Sequence, residues 1–322
     1  MSEDLQNDII KRKSRKALIV GIVTAFIVFV ILGGVFGLGM WLGGKDRCDE
    51  ASESAHKHVP NHGDRKELTL SGGATTAHKY VPKHGDRKTL TLPGGATMTM
   101  IYVAPGSFMM GSPSTEEGRK DDETQHHVTL TKGYWLGETE VTQAQWESVM
   151  GSNPSYFKGA SRPVEQVSWE DCQAFIAMVN HEARRQFGGG FRLPTEAEWE
   201  YACRAGSKGS YAGTGKLDDM GWYSDNSGNH THGVKGKEAN AWGFYDMHGN
   251  VFEWCQDWYD EYQSGAVTDP TGSASGDGRV LRGGSWYSNA WSCRSAGRDW
   301  SRPGGRYNDC GFRLCCSVGP RD

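Results

Sequence analysis

Three sets of residues in this sequence are of types that could do chemistry. Eight cysteines, Cys48, Cys172, Cys203, Cys255, Cys293, Cys310, Cys315 and Cys316, offer thiols for nucleophilic attack, soft-metal binding or disulfide formation. No CxxC pair occurs among them, which argues against a zinc ribbon or a redox dithiol. Histidines His56, His58, His62, His78 and His84 recur in a repeated unit and could hold a metal, although an exposed polar stalk accounts for them more simply. Glu196 and Glu198 could serve as an acid–base pair. Both fall in the first turn of an expected helix, where the backbone dipole favours negative charge without any catalytic role.

The stretch that must be positioned by everything else is Arg279–Ser317. It opens on a short apolar run and Gly283-Gly284, and closes on GFRLCC, which reads as a strand. Between them the polar, aromatic and glycine residues follow neither a helical nor a strand period. Such a segment is held by the domain beneath it, and irregular segments on rigid scaffolds are where binding or chemistry is usually placed. Tyr287, Ser288, Asn289, Trp291, Ser292, Asp299, Trp300, Arg302, Tyr307, Asn308 and Asp309 are of types that suit an adaptable recognition surface. Trp286 is expected in the core. Cys315 and Cys316 would point to opposite faces of an extended run, so at most one is expected inside.

The preceding elements supply the scaffold. Ile101–Val103 and Gly106–Met110 read as arms of a hairpin turned at Pro105-Gly106, and His127–Thr131 as a strand. Thr142, Ser168 and Thr195 each have Gln, Asp or Glu three residues on, the signature of a capped helix start. Trp146, Val149, Phe175, Ile176, Val179, Trp199 and Ala202 then face inward.

At the N-terminus, Ala17–Trp41 carries no charge, and that many helical residues span about 37 Å, enough for a bilayer core of roughly 30 Å. Five basic residues precede it, which places residues 1–16 in the cytoplasm and the rest across the membrane. The apolar run is long for a cleaved signal peptide, so it is expected to remain as a single transmembrane helix. Residues 56–77 and 78–99 are two copies of a 22-residue unit with sixteen identical positions, part of a stalk over 42–89. Its second copy carries the first strand of the domain at 90–317, and 318–322 form a short tail. The chain has 322 residues, 44 glycines, 12 tryptophans and a formal net charge of -4. That composition suits a loop-rich fold with aromatic anchors. Net acidity without a basic patch on the domain argues against nucleic-acid binding.

GFRLPTEAEWEYACRAG at 190–206, NAWGFYDMHGNVFEW at 240–254, and RVLRGGSW with GFRL resemble the formylglycine-generating enzyme, or sulfatase-modifying factor, family from about Leu90 to Ser317. The resemblance implies an α+β, loop-rich fold that is a variant of the C-type lectin fold. It implies calcium held by the Asp246 and Glu253 carboxylates and the Gly249 and Val251 carbonyls, with Asp246 standing where characterised enzymes carry asparagine. It implies a bridge from Cys203 to the C-terminal segment. The matching position there is Ser295, which leaves Cys293, two residues away, as the candidate partner. A second candidate bridge joins Cys172 to Cys315 or Cys316.

Family enzymes oxidise a sulfatase cysteine to formylglycine with copper(I), oxygen and a reductant, using two cysteines shortly after Gly-Gly-Ser. Ser285 matches that entry, but Ser288 stands at the first cysteine position, and a hydroxyl cannot replace a thiolate for copper(I). Cys293 falls at the second, yet the motif after it arrives three residues early, and Phe252 replaces an active-site tryptophan. The same domain type also serves as a non-catalytic scaffold, in some members with a retroelement-diversified C-terminal region. The expected function is therefore a membrane-anchored, periplasmic or extracellular binding protein whose ligand is a protein, peptide or glycan. The rival is a formylglycine-generating oxidoreductase using Cys293, Ser285 and Ser288 with copper(I).

Overall fold

The computed structural model describes residues 80–262 and 264–318. The expected span at 17–41, Cys48, His56, His58, His62, His78 and the first repeat copy lie outside them. Among the described residues, no helix is long and apolar enough to cross a membrane. The fold is α+β and rich in loops.

Strand β1 (Arg87–Thr91), from the second repeat copy, pairs antiparallel with β2 (Thr97–Val103) and sets Leu90 opposite Met98, both buried. With β5 (Tyr134–Gly137), β6 (Phe191–Arg192) and β14 (Cys315–Ser317) they form a five-stranded sheet in the order β1-β2-β5-β14-β6. The hairpin expected across Pro105-Gly106 does not form. Both edges of β2 are taken, by β1 and β5, so its backbone groups are already paired. The chain leaves the sheet at Ala104, and β3 (Gly106–Met110) pairs instead with β4 (His126–Leu130), which also carries β10 (Val267–Thr268).

Three helices start as their capping residues dictate. Thr142 with Gln145 opens α1 (Gln143–Met150), Ser168 with Asp171 opens α2 (Trp169–Ala183), and Thr195 with Glu198 opens α3 (Glu196–Arg204). In each box the hydroxyl takes the third residue's amide, and that residue's side chain takes the amide of the cap, which satisfies donors a helix start leaves orphaned. Trp146 of α1 stacks on Phe175 of α2 with ring centroids 5.3 Å apart, and Phe312 closes edge-on against both. Trp199 and Ala202 of α3 belong to a second core cluster, on the other side of the five-stranded sheet. A single-turn α4 (Leu217–Met220) leads into β7 (Gly221–Trp222), which pairs parallel with β8 (His248–Gly249).

The C-terminal stretch departs from expectation in three ways. GFRLCC is not one strand. Cys310–Gly311 (β13) joins a sheet ordered β12-β11-β9-β13, with β9 Phe252–Trp258, β11 Arg279–Arg282 and β12 Arg298–Ser301, while Cys315–Ser317 joins the five-stranded sheet. Strand β12 arises where no period was visible, because its pattern is inverted: Arg298 is buried and Trp300 is 46 % exposed. Cys315 and Cys316 do face opposite sides, yet both are fully buried. Strand β14 is internal to its sheet, and each face meets its own core cluster, Cys316 in one and Cys315 in the other.

Candidate functional site

Four arginines fix the irregular stretch, all at most 4 % exposed. Arg282 meets Glu200 at 2.5 Å and donates to the carbonyls of Ser295, Ala296 and Gly297 at 2.8, 3.0 and 2.7 Å. Arg294 reaches Glu123 at 2.5 Å, Glu116 at 2.7 Å and the Gly118 carbonyl at 2.9 Å. Arg298 pairs with Glu196 at 2.6 Å and caps the carbonyls of Asp122 and Asp260. Arg313 pairs with Glu253 at 2.7 Å and donates to the carbonyls of Gly137 and Tyr245. Carbonyls outside a ladder need donors from elsewhere. A guanidinium supplies five in a planar fork and carries the charge that a buried carboxylate requires. Glu123, Glu140, Glu200 and the four arginines were not singled out from sequence. Charged residues there read as surface, and only the third dimension pairs them.

The calcium expectation is corrected. Among the described residues, no group of three or more His, Cys, Asp or Glu side chains is placed to hold a metal ion. Glu253 is spent on Arg313 and on the Trp199 Nε1 donor at 2.7 Å. Asp246 accepts from the Lys235 amide at 2.9 Å, and burial pushes its carboxyl up to about 6. Gly249 lies in β8, its amide donating to the Gly283 carbonyl at 2.7 Å, and the Val251 amide donates to Glu140 at 3.1 Å. The positive charge that faces Glu253 is the Arg313 guanidinium.

The disulfide expectations, and the copper site of the rival enzymatic reading, fail for related reasons. All seven described cysteines are free and buried. Cys203 points its sulfur at the Met247 carbonyl and at His248 Nε2, both 3.8 Å away, while Nδ1 of the same imidazole lies 2.8 Å from the Cys293 carbonyl. His248 thus stands between the two candidate partners. The Cys293 thiol packs instead on Gly284, where a Cβ would come within 2.5 Å of it, which explains that glycine. Cys172 is buried in the core cluster that contains Cys316 and, like Cys315, is unbridged. Burial pushes the thiols of Cys203 and Cys293 up to about 12, so neither is a thiolate at neutral pH. The residues do not fit copper(I).

At the position of the first family cysteine the structure has a closed knot of oxygens. Ser285 Oγ lies 3.0 Å from Ser288 Oγ and donates to Asp309 at 3.3 Å, while the Ser285 amide donates to Ser288 Oγ at 3.0 Å. Trp286 is buried as expected, with its Nε1 donating to the Asn308 carbonyl at 3.0 Å. On the same C-terminal stretch Tyr287, Trp291, Trp300 and Tyr307 are exposed by 69, 44, 46 and 47 %. They do not stack on one another. Tyr287 leans on Trp286, Trp300 on Tyr259, and Trp291 on Gly118, while the Tyr307 hydroxyl accepts from Ser301 Oγ at 3.3 Å. Asn289 acts locally, its Oδ1 accepting from the Ser292 amide at 3.1 Å and capping the 3-10 turn Ala290–Cys293. Asp299 likewise accepts from the Trp300 amide at 2.7 Å.

Residues 89–318 match the family described as sulfatase-modifying factor enzyme 1-like domain. A chaperone protein LppX of Paenibacillus barcinonensis is 33 % identical over 219 residues, covering 53 % of this chain and 75 % of that one. The formylglycine-generating enzyme of Mus musculus is 32 % identical over 207 residues, covering 58 % of this chain and 52 % of the enzyme. For most of the curated relatives it matches, the chain spans less than two thirds of their length. Among solved structures, Treponema denticola variable protein 1 superposes with a TM-score of 0.65 at 36 % identity, covering 72 % of this chain and 99 % of that one.

Proposed function

The chain belongs to the sulfatase-modifying factor enzyme 1-like domain family, and from that premise we propose that its domain is a non-catalytic binding module, displayed outside the cytoplasm on the anchor at 17–41. The observation that carries this reading is the contrast at the C-terminal stretch. The position that needs a thiolate holds a hydroxyl tied to Ser285, while four large aromatic rings of the same stretch stand exposed on separate supports. Rigid aromatic anchors with serine and asparagine between them give contact area at low entropic cost. The likeness to a protein named for its variability supports assigning the ligand-facing role to Tyr287, Ser288, Asn289, Trp291, Asp299, Trp300, Tyr307, Asn308 and Asp309. The ligand is a protein, peptide or glycan, and the retroelement-diversified receptor is the form of this proposal that a variable copy of the coding segment beside a reverse transcriptase would establish.

Selecting binders to the full chain from peptide and glycan libraries gives the test. Tyr287→Ala, Trp300→Ala and Tyr307→Ala should each weaken the selected ligand by about 2 kcal/mol, some thirtyfold, as anchor residues do. Their melting temperatures should stay near that of the parent, because the three side chains are about half exposed or more. Ligands that bind all three variants as tightly as the parent would place recognition elsewhere.

A further inference from the structure

A cavity of about 400 Å³, which none of the four exposed aromatic rings lines, is walled by β3, the start of α3, the end of β9 and the segment around β10. Its floor is Asp257, 4 % exposed. One carboxylate oxygen accepts from the Glu196 amide at 3.0 Å; the other makes no hydrogen bond among the described residues. That free oxygen points toward Gly272, which also lines the cavity: a Cβ on Gly272 would come within 3.2 Å of it. Gly272 has a φ of +71°, which favours glycine, and without a side chain it leaves the free oxygen uncovered on that side.

The charges around the cavity are unequal. Glu196, Asp260 and Glu261 line it beside Asp257, against the single guanidinium of Arg298. Arg298 is committed to Glu196, with Arg282 a further 3.7 Å contact to the same carboxylate. His126 holds its Nδ1 on the Thr124 carbonyl at 2.9 Å and its ring against Tyr262. Among the described residues on the wall, no cation is paired with Asp257. Met110, Val267 and Pro270 supply apolar wall above it. Ionising a carboxyl buried here is costly, and a cation seated on its free oxygen offsets that cost.

We propose that this cavity is a binding site for an alkylammonium group, its carbon chain against Met110, Val267 and Pro270 and its ammonium on the free oxygen of Asp257. The group belongs either to a lysine side chain or to a free amine. The site is separate from the recognition surface proposed above and stands or falls independently of it.

The probes are n-pentylamine, Nα-acetyl-lysine methylamide and n-pentanol, titrated at about pH 9, where the Asp257 carboxyl is ionised and an alkylammonium still charged, into the purified full chain and followed by calorimetry and by tryptophan fluorescence, since Trp258 lines the cavity. Pentylamine should bind saturably, and pentanol, of the same shape without charge, at least tenfold more weakly. Asp257→Asn keeps the acceptor for the Glu196 amide and should reduce pentylamine affinity at least tenfold. Gly272→Ala leaves every charge in place but crowds the Asp257 Cβ at 2.8 Å and the free oxygen at 3.2 Å, at a φ of +71° that strains alanine, and where the variant folds it should do the same. Binding of the lysine derivative as well assigns the site to protein side chains; binding of pentylamine alone assigns it to free amines. Equal affinity for pentylamine and pentanol, unaltered affinity in both variants that remain folded, or no saturable amine binding would each overturn the proposal.

Discussion

Arg313→Ala is expected to lower the melting temperature by roughly 10 °C or more, or to prevent folding. Arg313 is fully buried, and its removal leaves the Glu253 carboxylate without a counter-charge and the Gly137 and Tyr245 carbonyls without a donor. Breaking a buried ion pair from one side costs about 3–5 kcal/mol. In a domain of this size each kcal/mol is worth roughly 2–4 °C. Arg313→Lys should fall between, since it keeps the charge but cannot reproduce the planar fork that reaches both carbonyls. The same melting curves should be unchanged between calcium and chelator, because the guanidinium already holds the turn. An Arg313→Ala protein as stable as the parent would mean that the C-terminal stretch is held by something other than its arginines.

The second large effect is a pH dependence. Burial first, and then the negative charges of Glu196 and Glu198, push the Asp257 carboxyl up to about 8, with Arg192 opposing. Asp260, Glu261, His126 and Arg298 also face the cavity it lines. A carboxyl whose folded pKa lies above its unfolded value binds its proton more tightly when folded. Its contribution to stability is therefore complete below about pH 4 and is lost as the pH rises through about 8. Each unit of raised pKa corresponds to about 1.4 kcal/mol, so the loss is on the order of a few kcal/mol. Unfolding in urea between pH 5 and pH 9 should show the parent weakening with pH, and Asp257→Asn weakening much less. Parallel pH profiles for the two proteins would remove Asp257 as the responsible group.

What the sequence disclosed and what it hid divide along a physical line. Local signals were legible. The three capping boxes, the strand in the second repeat copy and the inward faces of α2 and α3 depend on neighbours within a few residues, and they stand as the pattern implies. Features set by distant partners were not. Strand β12 was hidden because it buries an arginine and exposes a tryptophan, and the arginine is acceptable inside only because Glu196 of α3 meets it. The burial of both Cys315 and Cys316 follows from β14 lying between two strands with core on each face, which no run of three residues announces. Calcium ligands and a bridge carried over from related proteins failed on contacts between distant residues: Glu253 is paired with Arg313, and His248 meets both the Cys203 sulfur and the Cys293 carbonyl. The mismatch at Ser288, in contrast, was readable from residue types alone, because it turns on the chemistry of one hydroxyl.

The central claim is that the family frame is retained here without the family's oxidation. The most direct measurement offers the purified full chain a peptide carrying a sulfatase-type cysteine, with copper(I), oxygen and a thiol reductant, and follows aldehyde formation by mass spectrometry. Ser288 tied to Ser285, and a Cys293 thiol buried against Gly284, predict no turnover. Repeated turnovers that vanish in Cys293→Ala would contradict the claim and make the domain a working oxidase.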